Sequence, residues 1–203
     1  MISDFFLALL LALIQGLTEF LPVSSSAHLL FPSLLFGVKD FGIVFDISVH
    51  AGTLAAVIYF FKKEIQSLLY AWTPWKKTRS KEDFSLGLNL LVATLPIVVV
   101  GLLASDLTES RSANINSIAW ANLVFAGLLY AAFKSSSQSK SLTELTLSAA
   151  LIIGCFQALA VFPGASRSGM AITGALIIGL NIKDTSKFAF LLSIPTILGA
   201  LVL

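Results

Sequence analysis

The sequence predicts an all-α, polytopic membrane protein with inverted-topology repeats and two re-entrant helix–loop–helix hairpins. Three observations predict it. The 203 residues are 57% hydrophobic and only 12% charged, about half the charged share of an ordinary soluble domain. The apolar residues gather in runs: Phe5–Ile14, Leu54–Phe61, Leu86–Ala104, Ile118–Phe133, Leu147–Val161 and Phe188–Leu203. Finally, one motif occurs twice, first as Gln15-Gly16-Leu17-Thr18-Glu19-Phe20-Leu21-Pro22-Val23-Ser24-Ser25-Ser26-Ala27-His28. The second copy is Gln157-Ala158-Leu159-Ala160-Val161-Phe162-Pro163-Gly164-Ala165-Ser166-Arg167-Ser168-Gly169, with glutamine, leucine, phenylalanine and two serines at equal offsets.

In chain order, Met1-Ile2-Ser3-Asp4 has no basic region, so no cleaved signal peptide is read. Residues 3–40 hold two short apolar pieces broken at Leu21-Pro22-Val23-Ser24, which reads as a hairpin starting and ending outside. Ile43–Phe61 then crosses inward. Lys62, Lys63, Lys76, Lys77, Arg79 and Lys81 follow, and Lys134 and Lys140 lie in a later serine-rich segment. The positive-inside rule places both basic segments in the cytoplasm. Leu86–Ala104 and Ile118–Phe133 go out and back, with Ser105–Ser117 outside and Trp72 and Trp75 at the interface. The second copy, about 145–181, starts and returns inside, and Phe188–Leu203 leaves outward. The two copies thus enter from opposite faces, with tips meeting near the midplane.

The expected organisation is a single membrane domain, 1–203, with a first repeat about 1–133 and a second about 145–203. Phe45 with Thr53 matches Phe188 with Thr196, each pair eight residues apart. The first copy is followed by two further apolar runs that the second lacks. The sequence therefore reads as truncated, with roughly two more helices in the whole protein. Period-2 alternation over ten-residue segments is missing, which argues against a β-barrel. A net charge of +2 without a basic stripe offers nothing to nucleic acid. The single Cys155 cannot form an intrachain disulfide and reads as a small core residue.

Irregular backbone at membrane depth is tolerated only where protein or water satisfies it. A charged side chain at the centre of a lipid-facing helix costs about 2.5–3.5 kcal/mol. Glu19, His28 and Arg167 at the breaks therefore imply an enclosed polar site. Ser24, Ser25 and Ser26 are expected to cap a helix running to about Phe36, and Ser166 and Ser168 one running to about Leu180. Two helix N-termini converging beside Arg167 make a phosphate or diphosphate cradle. The serines are nucleophile candidates once a base takes the proton. His28 lies three residues beyond Ser25 and can share its helix face. Glu19 could orient His28, act as base or hold a metal, and sequence does not choose among these. Asp46 and His50, spaced i, i+4, are supporting candidates.

The first motif resembles the signature of undecaprenyl-diphosphate phosphatases of the bacitracin-resistance type. Pro163-Gly164-Ala165-Ser166-Arg167-Ser168-Gly169 resembles that family's second signature, and Phe45-Asp46-Ile47-Ser48-Val49-His50-Ala51-Gly52-Thr53 a third segment. The resemblance implies a bacterial plasma-membrane enzyme, open to the extracytoplasmic side. It would remove the terminal phosphate of undecaprenyl diphosphate and so recycle the lipid carrier of peptidoglycan synthesis. It maps an acidic position onto Glu19, a serine pair onto Ser24 and Ser25, a histidine onto His28 and a second-loop pair onto Ser166 and Arg167. It also implies a divalent cation, Mg2+ or Ca2+, with Glu19 as its ligand. Some members carry glutamate at the position of Gln15 and most carry glycine at that of Ala27. The expected catalytic set is Glu19, Ser25, His28 and Arg167, with Gln15, Ser24, Ser26, Ser166 and Ser168 binding substrate. Membrane lipid is the expected surrounding partner, and a homodimer is left open. The alternative reading is a lipid-phosphate transporter or flippase, since inverted repeats with broken helices also serve transport.

Overall fold

The computed structural model describes residues 3–73, 80–103 and 114–202. Among them lie nine α-helices: α1 Asp4–Thr18, α2 Ser25–Phe36, α3 Ile43–Phe60, α4 Lys62–Trp72, α5 Lys81–Leu103, α6 Ile115–Ser135, α7 Leu147–Ala158, α8 Arg167–Ile178 and α9 Ile182–Val202. Helices α3, α5 and α6, of 18, 23 and 21 residues, are long and apolar enough to cross a membrane. The chain is an all-α, polytopic membrane protein. Trp75, Lys76, Lys77, Arg79 and positions 105–113 of the expected outer connection lie outside the described residues.

The broken motifs form two helical hairpins, α1 with α2 and α7 with α8. Their arms have 15, 12, 12 and 12 residues. At 1.5 Å per residue they are roughly 18–22 Å long, well short of a hydrocarbon core of about 30 Å. Each returning arm stops at a left-handed glycine, Gly37 at φ 62° and Gly179 at φ 93°. Side-chain-free glycine adopts that conformation at little cost, so it ends a helix cleanly.

Contacts show where each hairpin opens. Lys39, just past α2, pairs with Asp4 at the start of α1. In the second hairpin the Lys140 N–H donates to the Gly179 carbonyl at 3.0 Å, and the Leu142 N–H to the Asp184 carboxylate at 3.0 Å. The first open end packs at the start of α3, where Phe41, Phe45 and Val49 lie against Leu7, Leu11 and Leu29. The second lies at the far end of α3, where Phe61 joins Leu145, Leu180 and Phe188 in the main core. Lys187 there sits 3.7 Å from Glu64. Helix α3, about 27 Å long, therefore separates the two open ends.

Small residues let the helices approach, as expected where lipid gives no hydrophobic drive for helix association. A side chain at Gly154 of α7 would strike the Ala93 carbonyl of α5, and a Cβ at Gly174 would lie 3.0 Å from the Ile153 Cα. Two sequence expectations change here. Part of the first basic connection is itself helical, as α4, whose charged residues mask a periodic apolar face. Cys155 is exposed on α7 rather than in the core, because the inner face of α7 is taken by Ala150, Ile153 and Gly154.

Candidate active site

The hairpin tips touch. The Ser168 hydroxyl donates to the Leu21 carbonyl at 2.8 Å, and Arg167 Nη2 donates to Glu19 Oε1 at 2.9 Å. Glu19 caps the C-terminal end of α1, its N–H bonded to the Gln15 carbonyl. Arg167 opens α8 and Ser25 opens α2. The breaks thus place one carboxylate, one hydroxyl and one guanidinium at helix ends, where the backbone has no further turn to cover them.

Glu19 is only 7% exposed. A carboxylate so enclosed requires donors, and its Oε2 accepts from the Ser25 hydroxyl at 2.6 Å and from Gln15 Nε2 at 2.7 Å. His50 Nε2 approaches the same oxygen at 3.4 Å. The short Ser25–Glu19 contact is the pairing of a hydroxyl with a group able to accept its proton.

Beside this cluster lies a cavity of about 510 Å³. Glu19, Ser24, Ser25, Ser26, His50, Ser166 and Arg167 line its polar side. Its apolar side is Ile43 and Ile47 of α3, Ile97, Val98 and Gly101 of α5, and Gly199 and Ala200 of α9. Those residues belong to the first turns of α3 and the last turns of α5 and α9. The cavity therefore sits toward the end of the bundle where the first hairpin opens, away from Lys62, Lys63 and Lys81. One polar wall meeting an apolar slot suits an amphiphile with an anionic head.

The serines divide their work differently from expectation. Ser166 does cap α8, accepting from the Gly169 N–H at 3.1 Å. Ser24 stands at the cap position of α2 but makes no side-chain cap bond. Its hydroxyl and that of Ser26 lie 3.4 Å apart, and the first turn of α2 presents its N–H groups beside the cavity. Four expected site residues sit elsewhere. His28 Nδ1 contacts the Ser24 carbonyl at 2.9 Å and does not line the cavity. Gln15 is fully buried behind Glu19. Ser168 is spent on Leu21. Asp46 lines a smaller neighbouring cavity of about 190 Å³ with His50 and Arg167. Sequence reasoning misses the Leu21 carbonyl as the tips' anchor, which no residue type can signal. It also gives His50 too little weight, although the i, i+4 spacing from Asp46 is a cue.

The donor set does not fit a protein-built divalent cation cage. No group of three His, Cys, Asp or Glu side chains gathers among the described residues. Both Glu19 oxygens already accept from Arg167, Gln15 and Ser25, and the neighbouring Gln15 is a neutral amide. Hard cations take several oxygen ligands, preferably carboxylate.

Fold and site together define a class: a helical membrane protein whose two broken hairpins enclose a hydroxyl–carboxylate–guanidinium cluster at the head of an apolar slot. Residues 8–203 match the family described as Bacitracin resistance protein BacA, and the chain belongs to that family. It is 47% identical over 194 residues to the undecaprenyl-diphosphatase of Saccharophagus degradans, covering 96% of this chain and 73% of that protein. It is 46% identical over 198 residues to the undecaprenyl-diphosphatase of Alcanivorax borkumensis, covering 97% and 75%. The undecaprenyl-diphosphatase of Chromohalobacter salexigens is 47% identical over 191 residues, covering 94% and 72%.

Proposed function

We propose that this protein hydrolyses undecaprenyl diphosphate to undecaprenyl phosphate and inorganic phosphate. That reaction returns the lipid carrier to cell-wall synthesis and supports resistance to bacitracin. One observation carries the reading: Ser25, Glu19 and Arg167 converge from two hairpins at the polar head of an apolar slot.

The Ser25 oxygen attacks the terminal phosphorus, forming the Oγ–P bond, while its proton passes to Glu19 Oε2. The bridging P–O bond breaks and undecaprenyl phosphate leaves. Water then attacks the phosphoserine: the Oγ–P bond breaks, Glu19 returns its proton to the Ser25 oxygen, and phosphate leaves with the water's oxygen and protons. Arg167 uses one of its five N–H donors on Glu19 and has others for phosphoryl oxygens. The first-turn amides of α2 add the positive end of a helix dipole. Together they stabilise the charge that develops on the transferred group. His28, bonded to backbone and off the cavity lining, favours Ser25 as nucleophile. A divalent ion, Mg2+ or Ca2+, enters this reading as a companion of the diphosphate in solution.

The hairpins read as re-entrant, inserted from opposite leaflets of a bacterial plasma membrane. The opposed open ends, the short arms and the Ser168–Leu21 contact support this. The cavity reads as extracytoplasmic, because it lies at the end away from the basic connections.

Phosphate release from undecaprenyl diphosphate in detergent, where transport has no meaning, tests the activity. The wild type releases phosphate and Ser25→Ala does not; a wild type without turnover overturns the reading in favour of transport.

A further inference from the structure

We infer that His50 is a positioning residue for Glu19, the histidine that serves the reacting cluster from outside both copies of the repeated motif. This rests on the reading of Glu19 as the base for Ser25. His50 lies on α3, not on either hairpin, and reaches the cluster from the side. Its Nδ1 is 2.6 Å from the Asp46 carbonyl oxygen. A carbonyl can only accept, so Nδ1 carries a hydrogen and the ring is fixed in orientation, and Nε2 donates to the carboxylate when the ring is the doubly protonated imidazolium. The opposite edge, Nε2, then faces Glu19 Oε2 at 3.4 Å. That oxygen is the one receiving the Ser25 hydroxyl.

The result is a line of four groups: backbone carbonyl, imidazole, carboxylate, hydroxyl. A nucleophile, its base and a third group that orients the base is the general arrangement of activated hydroxyls. Arg167 holds the other carboxylate oxygen, Oε1. The two contacts grip the carboxylate from opposite hairpin and helix, so that Oε2 points at Ser25. His28 makes the same i, i−4 ring-to-carbonyl contact on α2, yet its ring neighbours the Phe31 ring rather than the reacting carboxylate. The imidazole side chain of His50 is 18% exposed and lines both the main and the neighbouring cavity.

The test compares two variants of similar bulk. His50→Leu keeps the volume without a donor, and His50→Gln offers an amide N–H to Glu19. In purified protein hydrolysing undecaprenyl diphosphate, His50→Leu is expected to lower kcat at least about tenfold with KM within about twofold. His50→Gln is expected to recover most of the loss. Retention of kcat by His50→Leu overturns the inference, as does an equal loss in both folded variants or a change confined to KM. Glu19→Gln, measured alongside, separates the two readings. If Glu19→Gln keeps its turnover, the base assignment fails whatever His50 does. If Glu19→Gln is inactive and His50→Leu is not, only the positioning role fails.

Discussion

At the scale of single residues, the site is a problem in keeping one carboxylate usable inside a protein. Glu19 meets it by gathering donors from α1, α2 and α8. Each donor has a separable consequence. Ser25→Ala removes the proposed nucleophile and is expected to lower kcat by at least about a thousandfold. Arg167→Ala removes the cation that meets Glu19 and, in the proposed reaction, phosphate, and is expected to cost about a hundredfold or more in kcat. Arg167→Lys keeps the charge without the planar fork and should fall between Ala and wild type. Steady-state phosphate release checks all three, with thermal unfolding in detergent to confirm folding. Glu19 and Arg167 are legible in the sequence because a charge beside a proline break in an apolar run is costly unless a polar site encloses it. The split among the serines is not legible, since cap, nucleophile and packing serines share one side chain. Nor does the sequence show that Gln15 is buried and donates its amide to Glu19, since burial depends on packing.

At the scale of elements, helix contacts rather than propensity hold the site in place. Helix α7 lies against α5 so closely that Gly154 has no room for a Cβ beside the Ala93 backbone. Gly154→Ala must push these helices apart and is expected to destabilise by about 1–3 kcal/mol. Gly127 of α6 has nothing within 4 Å of where a Cβ would stand. Gly127→Ala should therefore be neutral or stabilise by about 0.5–1 kcal/mol through helix preference alone. Thermal unfolding of both in one detergent reads the contrast, and equal shifts would contradict the packing described. The apolar runs announce α3, α5, α6 and the hairpin arms within a few residues. Helix α4 escapes because its lysines and glutamate make its mean hydropathy unremarkable, although Leu68, Leu69 and Trp72 recur at helical spacing. Which face of α7 meets the bundle also escapes, so Cys155 reads as a core residue until the packing is seen.

At the scale of the whole molecule, the two motif copies supply unlike chemistry at matching positions. Where the first copy has Ser25, the second has Arg167; where the first has Glu19, the second has Val161. Gln15 and Gln157 are both buried, but only Gln15 has an acid one turn away. The two motif copies thus place hydroxyl and carboxylate on one tip and the guanidinium on the other. Neither hairpin alone makes the site. That division is readable from the aligned motifs, whereas the meeting of the tips follows only from topology.

Disulfide trapping of the tips tests their union most directly. A Cβ at Gly169 would lie 3.4 Å from the Pro22 Cβ, close to the spacing a disulfide needs. In a Cys155→Ser background, the pair Pro22→Cys with Gly169→Cys is expected to cross-link on mild oxidation, seen by mass spectrometry as one linked peptide pair. Folded protein in which both thiols stay free and separately alkylated would contradict the joined tips, and with them the shared site.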